Sequence, residues 1–352
     1  MLLLAIETSC DETSAAVIRE GRILANVVSS QIALHAEYGG VVPELAAREH
    51  LRNLMPVVQS ALREAGVSKN QIEAVAATQG PGLPNALMTG FKAAQALAFV
   101  LRKPFLGINH HEAHLYSPWI SGNPPVADFA AFQPNVSLIV SGGHTMLVHV
   151  EAELKHRILG STLDDAAGEC FDKTGKLIGL PYPAGPVIDR LAAEGNPNAH
   201  EFPRPLIHDA NDDFSFSGLK TSIRYFLRDH PDLPDDPQRL RDLCASVQVA
   251  IVDVLVSKTI KAAKRLQVKC VTASGGVTCN RALRQALAAA CKTNHLTLRL
   301  AEKILCMDNA AMIGILAERK LLQNPQFHSN PDDVLPNWSL DDTALGVATA
   351  NG

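Results

Sequence analysis

The sequence predicts an α/β fold that contains an internal duplication. The chain has 352 residues, enough for two domains of ordinary size. Short apolar runs typical of buried strands alternate with longer stretches of helical periodicity. Residues 2–18 and 136–150 share one pattern, in which a turn of small polar residues separates two apolar strands. Since no strict sequence repeat accompanies this pattern, we expect the duplication in the topology.

The first strand, at residues 2–6, is almost wholly apolar, which is typical of a central buried strand. Hydroxyl and carboxylate side chains crowd the turn at residues 7–14, and an apolar strand resumes at 15–18. A structural hairpin turn more often contains Asn-Gly or Asp-Gly. We therefore predict a functional turn whose small hydroxyl residues offer hydrogen-bond donors to a phosphate.

An amphipathic helix at residues 43–66 and a buried strand at 72–78 come next, and a helix at 86–100 follows. Between the last two lies the sequence Gly-Pro-Gly at residues 80–82. A strand, a glycine-rich turn and a helix resemble a phosphate loop, but the spacing is neither that of the P-loop nor that of the dinucleotide fingerprint. Close packing against a neighbouring backbone explains these glycines equally well.

Three histidines and a glutamate occur within residues 110–114, directly after an apolar run. If this segment is helical, His110 and His114 lie on one face and can bind one divalent metal. The zinc-protease pattern H-E-x-x-H is absent, because Leu115 stands where the second histidine would be. The alternative is a histidine-rich helix start whose rings cap backbone groups. A metal site needs at least one more ligand from elsewhere in the chain.

The second hairpin consists of strands at residues 136–140 and 146–150 around the turn 141–145. Two glycines in that turn let the backbone approach a ligand closely. Residues 161–189 are dense in carboxylates, lysines and glycines, and an ordinary charged helix face explains the charges but not the glycines. A second unusual segment, at 213–221, places two phenylalanines and a lysine among small residues.

The C-terminal third alternates helices and strands. A polar, proline-rich linker at 230–237 is followed by a long helix, a strand, a Ser-Gly-Gly turn, a helix and a strand, at residues 243–266, 268–273, 274–280, 281–290 and 296–300. A last helix opens near Asp308 and runs to residue 322. Asp308 fits a helix cap and a metal ligand equally well.

Composition limits the function classes. A net charge of −4 and a pI of about 6.3 give no support for autonomous nucleic-acid binding, so a nucleic-acid substrate would require a local basic surface or a partner. No apolar run reaches ~18 residues, and no basic segment precedes the first apolar run, so we expect neither a membrane span nor a signal peptide. Seven scattered cysteines without a C-x-x-C pair suit the reduced thiols of a cytosol.

Together these segments resemble the bacterial branch of the tRNA N6-adenosine threonylcarbamoyltransferase family. The resemblance covers nearly the whole chain and rests on the stretches 6–13, 79–83, 110–114, 140–145, 164–173, 213–220, 274–280 and 307–309. It implies the duplicated fold of actin, Hsp70 and the sugar kinases (the ASKHA fold), with two lobes around a cleft. We expect an N-terminal lobe at residues 1–109, with the segment from about 308 to 352 packing back on it. We expect residues 110–307 to form the C-terminal lobe with the metal and ligand motifs.

The resemblance implies one divalent metal ion, iron or zinc, bound by His110, His114 and Asp308. It also implies ten substrate contacts: Ser9, Ile139, Val140, Ser141, Gly142, Gly143, Asp172, Gly185, Asp189 and Asn280. We expect Asp11 to position or deprotonate the attacking amine. The family usually has Tyr-Pro-Gly-Gly-Pro where this chain has Ala184 at the third position.

The implied activity transfers a threonylcarbamoyl group from L-threonylcarbamoyl-AMP to N6 of the adenosine 3′ of the anticodon. The substrates are tRNAs that read codons beginning with A, and AMP is released. The implied partners are tRNA, a paralogous inactive subunit of the same fold and a small P-loop ATPase, in the cytoplasm and without a membrane.

Three other functions compete with this one. An ATP-dependent small-molecule kinase of the same fold gives no role to the two histidines and the aspartate. A metalloprotease lacks its sequence pattern. A non-catalytic scaffold would be expected to have lost the histidines or the aspartate.

Overall fold

The computed structural model describes residues 1–326 and 333–343. The described residues form twelve strands: β1 (Leu2–Glu7), β2 (Glu12–Arg19), β3 (Arg22–Ser30), β4 (Ala74–Gly80), β5 (Phe105–Asn109), β6 (Ile120–Ser121), β7 (Val126–Ala127), β8 (Asn135–Val140), β9 (Thr145–Ala152), β10 (Lys155–Ser161), β11 (Cys270–Ser274) and β12 (Thr297–Leu300). They also form eleven helices: α1 (Ile32–Ala36), α2 (Pro43–Glu64), α3 (Pro84–Leu101), α4 (His110–Tyr116), α5 (Ala167–Leu177), α6 (Ala184–Ala192), α7 (Ser217–Asp229), α8 (Pro237–Arg265), α9 (Arg281–Thr293), α10 (Lys303–Cys306) and α11 (Ala310–Gln323).

The chain divides into two compact units. Unit 1 comprises residues 1–132 and 307–352, and unit 2 comprises residues 133–306. The predicted lobe boundary after residue 109 differs from this division, because α4 packs against α11 and β7 pairs with β3 inside unit 1. The histidine cluster therefore lies in unit 1. The predicted C-terminal segment returns to unit 1 through α11, while its residues 327–332 and 344–352 lie outside the described part of the chain.

Unit 1 contains a seven-stranded sheet in the order β5-β4-β1-β2-β3-β7-β6. Strand β1 is buried along its whole length because helices cover both faces of the sheet. Leu4 and Ile6 belong to the core that includes apolar residues of α2 and α3, and Ala5 on the alternate face lies under α11. Helix α11 comes close because Gly314 has no side chain, and a Cβ there would lie 2.5 Å from Cγ1 of Ile18.

Unit 2 contains a five-stranded sheet in the order β10-β9-β8-β11-β12. Its strand pairing repeats that of unit 1. Strand β8 pairs antiparallel with β9 and parallel with β11, as β1 pairs with β2 and β4. The outer strands β10 and β12 correspond in the same way to β3 and β5. The duplication predicted from the two hairpins is therefore present in the topology.

Helix α8 begins at Pro237, six residues before its predicted start. The Asp236 side chain caps it by accepting hydrogen bonds from the backbone N–H groups of Gln238 and Arg239, at 2.9 and 3.1 Å. The helix is long and apolar enough to cross a membrane by length and composition, but 78% of its apolar window is buried inside the protein. Its apolar residues contribute to the core of unit 2.

A buried ion pair joins α4 to α11. The Lys320 Nζ atom lies 2.6 Å from Oε2 of Glu112, and these side chains are 8% and 1% exposed. We predict that Lys320→Ala lowers the free energy of unfolding by about 3 kcal/mol, because it leaves the Glu112 carboxylate buried without its cation. Urea denaturation measures the change.

Arg52→Ala is the matched control, since Arg52 pairs with Glu49 on the exposed surface of the same unit. It should change the free energy of unfolding by less than about 1 kcal/mol. The double variant Glu112→Gln with Lys320→Met should be more stable than Lys320→Ala alone. If the double variant lost as much free energy of unfolding as Lys320→Ala, the role of the unpaired charge would be contradicted.

Candidate metal centre and ligand loops

Helix α4 presents the two predicted histidine ligands. It starts directly after β5, where the Asn109 side chain accepts a hydrogen bond from the Glu112 backbone N–H at 3.0 Å. This cap begins the helix at His110, so His110 and His114 lie one turn apart on the same face. Their ring centroids are 4.8 Å apart.

Asp308 lies between α10 and α11, next to the two histidines. The cap of α11 is its neighbour Asn309, whose side-chain oxygen accepts a hydrogen bond from the Met312 backbone N–H at 3.2 Å. The Asp308 carboxylate is therefore not the helix cap. Its Oδ1 atom lies 3.3 Å from Nε2 of His110 and 3.3 Å from Nε2 of His114.

The geometry of these three side chains fits a divalent metal ion. Two ligands each about 2.0 Å from a tetrahedral ion are roughly 3.3 Å apart, which matches both nitrogen–oxygen distances. One ligand atom from each residue lies within 4.8 Å of the others. Both histidine side chains are buried, whereas that of Asp308 is 20% exposed. Three protein ligands with access on one side are typical of a catalytic metal site.

Negative charge dominates this centre. Burial by itself lowers the pKa of His110, but the carboxylates of Asp308 and Glu7 outweigh burial and raise that pKa well above its usual value. Burial raises the pKa of Asp308, but the charge and hydrogen bond of His110, together with those of His114, hold it well below its usual range. The Asp308 carboxylate is therefore ionised, and the centre attracts a cation.

Glu7 also belongs to this centre, although it was predicted only as part of the functional turn and not as a neighbour of the histidines. Its Oε2 atom is 3.0 Å from Nδ1 of His110, and its side chain is fully buried. Glu7 and His110 lie too far apart in the sequence for any motif spacing to relate them. The parallel strands β1, β4 and β5 were the available signal, because the carboxyl ends of parallel strands meet at one edge of a sheet.

The opening turn brings Ser9 next to the centre and places Asp11 beside Glu12. The Ser9 hydroxyl lies 3.3 Å from Nδ1 of His110. Asp11 shares a hydrogen bond with the Glu12 side chain. Burial, together with the negative charges of Asp11 and Asp308, raises the pKa of Glu12 well above its usual value.

The glycines at residues 80 and 82 permit close packing of backbones. A Cβ at Gly82 would lie 2.5 Å from the carbonyl oxygen of Ser9, and one at Gly80 would overlap the Leu335 carbonyl. The Leu83 backbone N–H also donates to the Ser9 carbonyl at 2.8 Å. These contacts support the packing explanation for the two glycines.

In unit 2, the predicted ligand residues of the second hairpin lie at the end of β8 and in the turn after it. Ile139 and Val140 are buried strand residues. The Ser141 backbone N–H donates to the His144 carbonyl at 2.8 Å, which closes the turn. Residues 142 and 143 are exposed glycines, and a Cβ at either position would meet no atom within 4 Å. A ligand can therefore approach their backbone.

Asp172 and Gly185 come together at the start of α6. The Asp172 carboxylate accepts hydrogen bonds from the backbone N–H groups of Ala184 and Gly185, at 2.7 and 3.4 Å, and burial raises its pKa. The departure at Ala184 is accommodated because residue 175 is glycine: a Cβ at Gly175 would overlap that of Ala184.

Asp189 and Asn280 also have partners within the protein. Asp189 accepts hydrogen bonds from the backbone N–H and Nε of Arg281, at 3.2 and 2.9 Å. Asn280 caps α9 through the Leu283 backbone N–H at 2.9 Å, and its amide donates to Gln248 at 2.6 Å. These bonds connect α6, α8 and α9, which is a structural role that the sequence did not indicate.

The two unusual segments at 161–176 and 213–221 contact one another. Asp164 accepts hydrogen bonds from the hydroxyl groups of Ser215 and Ser217, at 2.6 and 2.5 Å. Asp165 lies 2.7 Å from both Lys173 and Lys220. Asp164 and Asp165 precede α5, so an ordinary charged helix face does not describe them.

The family of the chain follows from comparison with known proteins. The family model described as tRNA N6-adenosine threonylcarbamoyltransferase matches residues 22–315. The chain belongs to this family. It is 50% identical to the enzyme of that name from Geotalea uraniireducens, over 98% of both chains. It is also 50% identical to the one from Chlorobium phaeobacteroides, over 97% of this chain and 99% of the relative.

Solved structures confirm the fold class. HypF from T. kodakarensis superposes with a TM-score of 0.57 at 14% identity, over 92% of this chain and 48% of its own. The ROK hexokinase from Thermus thermophilus gives a TM-score of 0.52 at 15% identity, over 92% and 100%. With the duplicated sheets, these likenesses show the actin-like ASKHA fold.

We predict that His110→Ala and Asp308→Ala each reduce the bound metal of the purified protein by at least about tenfold, because each removes one of three ligands. Metal analysis of the protein and its variants measures this. His111→Ala is the control, since it removes a buried neighbouring histidine that is not part of the triad. Its metal content should stay at the wild-type level. Equal loss in all three variants would argue against the triad.

Proposed function

We propose that this chain transfers the threonylcarbamoyl group of L-threonylcarbamoyl-AMP to N6 of the adenosine 3′ of the anticodon, in tRNAs that read codons beginning with A. The observation that carries the proposal is the convergence of His110, His114 and Asp308 in a chain of this family. The metal is iron or zinc, since both accept two imidazoles and a carboxylate. A cytoplasmic location is also consistent with membership of this family.

The kinase alternative is weaker. The likeness to a hexokinase concerns the fold alone, and the same fold supports unrelated reactions. Phosphoryl transfer from ATP gives no role to the triad, whereas the family match supports acyl transfer to tRNA. A metalloprotease would need the missing H-E-x-x-H pattern. A degenerate scaffold would not be expected to keep all three ligands.

In the proposed reaction, N6 of the adenosine attacks the carbamoyl carbon. The bond between that carbon and the phosphate oxygen breaks, AMP leaves, and one proton leaves N6. A divalent ion held by the triad would act as a Lewis acid toward the carbamoyl and phosphate oxygens. We assign Asp11 to receive the proton, because its side chain is a carboxylate in the opening turn, two residues after Ser9. The Ser9 hydroxyl, beside His110, is a donor for an anionic oxygen.

The remaining substrate contacts are assigned to unit 2. The open backbone at Gly142 and Gly143, with Ile139, Val140 and Ser141 before it, offers N–H groups to an anionic group. One carboxylate oxygen of Asp172 accepts hydrogen bonds from the backbone at the start of α6. We assign the other oxygen to a hydroxyl or amine of the ligand, beside Gly185. Asp189 and Asn280 position the helices around these groups through their own hydrogen bonds.

The partners follow from charge and from the family. With a net charge of −4, the chain is expected to contact tRNA through a local cationic surface or with the help of bound proteins. We propose a paralogous inactive subunit of the same fold and a small P-loop ATPase as those proteins.

The deciding experiment supplies labelled threonine, ATP, tRNA and a synthase that makes the adenylate. We expect label in the tRNA as threonylcarbamoyladenosine, one AMP released per nucleoside modified, and no transfer by His110→Ala. Failure of the wild-type chain and its partners to label tRNA would overturn the proposal. Transfer of the γ-phosphate of ATP to a small molecule would favour the kinase instead.

For Asp11 we predict that Asp11→Asn slows single-turnover transfer by at least about a hundredfold, because a neutral amide cannot accept the proton. Rapid-quench measurement of transfer from bound adenylate tests this. Metal content should be unchanged, and Glu12→Gln, which keeps a donor beside Asp11, should be impaired less. A rate near that of wild type in Asp11→Asn, with the fold intact, would rule out the assignment.

A further inference from the structure

We propose that Glu7 is a positioning residue for the metal centre: its carboxylate fixes the orientation of His110 and, with its other oxygen, the opening turn at Ser9. The inference rests on the proposed function only in that it takes the triad to be a metal site. It assigns a role to a residue outside the triad.

The first support is the burial of Glu7. Its side chain is 0% exposed, and a carboxyl group at such a position needs compensating hydrogen bonds. Oε2 accepts from the Thr78 hydroxyl at 2.6 Å and lies 3.0 Å from Nδ1 of His110. Oε1 accepts from the Ser9 backbone N–H. The carboxylate is thus bonded from three directions, by Thr78 of β4, by the opening turn and by the histidine.

The second support is the direction in which Glu7 turns the His110 ring. Oε2 of Glu7 lies 3.0 Å from Nδ1, so the opposite nitrogen, Nε2, faces Asp308 at 3.3 Å. A carboxylate behind a metal-binding histidine orients the ring and makes it a more basic ligand. Glu7 occupies the position behind His110 that this role requires.

The third support is asymmetry between the two histidines. Nδ1 of His114 is buried and has no hydrogen-bond partner among residues 1–326 and 333–343. Within these described ranges, His110 is therefore the ligand whose far nitrogen is bonded to a carboxylate. The orientation of the triad depends more on Glu7 than on any group behind His114.

The same carboxylate connects the centre to the opening turn. The Thr8 hydroxyl, between Glu7 and Ser9, donates to the Ala86 carbonyl at 2.8 Å, which attaches the turn to α3. Ser9 is in turn 3.3 Å from Nδ1 of His110. A substitution at Glu7 should therefore alter both the metal affinity of the centre and the position of Ser9.

The test is titration of metal-free protein with Co²⁺, followed by visible absorption and by competition with a chelator. Glu7→Gln offers one acceptor and one donor, so either His110 or Ser9 must face an NH₂ group. We expect Co²⁺ affinity to fall roughly 10- to 100-fold and the absorption bands to change, while circular dichroism shows an intact fold.

Thr78→Val is the matched control. It removes a buried hydrogen bond to the same carboxylate oxygen with little change of volume, but keeps the carboxylate on His110. Its Co²⁺ affinity should stay within about threefold of wild type, since no bond to the ligand is lost. If Glu7→Gln does not fold, Glu7→Asp replaces it, because the shorter side chain keeps the charge and withdraws from His110.

Wild-type affinity and spectrum in the folded Glu7 variant would overturn the proposal. So would an equal loss of affinity in Thr78→Val, which would indicate general loosening. The titration needs neither tRNA nor adenylate. A wild-type chain that binds Co²⁺ but fails to modify tRNA would overturn the proposed function alone and leave the role of Glu7 to be decided by the variants.

Discussion

The buried charges at the carboxyl ends of β1, β4 and β5 are the constraint on which unit 1 depends. Glu7 and Asp308 bring two carboxylates to one histidine, His110; the side chains of Glu7 and His110 are almost fully buried, whereas Asp308 keeps access to solvent. Buried like charges are unfavourable unless cations or donors compensate them. Thr78 and the Ser9 backbone donate to Glu7, and the cap at Asn109 begins the helix that places His110 beside both carboxylates.

The duplicated topology explains why chemistry is concentrated in corresponding turns. The turn after β1 carries Ser9 and Asp11, and the turn after β8 carries Ser141 and its two glycines. Each follows a strand that pairs with one antiparallel and one parallel neighbour in its sheet. The two units differ in their insertions. Unit 1 has α4, which carries His110 and His114, directly after β5, whereas unit 2 has α5–α8 between β10 and β11.

Much of the fold could be predicted from short segments of sequence, because the spacing of apolar residues and the choice of turn residues depend only on neighbouring positions. The features predicted in this way are the two hairpins, α2, α3 and the shared helix face of His110 and His114. The third ligand, Asp308, came from family resemblance, since only tertiary structure joins it to α4. Glu7 and the domain boundary were not foreseen for the same reason. The bonds of Asn280 likewise depend on a helix, α8, that starts far away in the chain.

Unit 1 is discontinuous, and its last segment arrives only after all of unit 2. During synthesis, a nascent chain that has completed β1, α4 and the whole of unit 2 still lacks Asp308. Two of the three predicted ligands are therefore made long before the third. The three side chains can converge only after α11 has been made and can pack on β1.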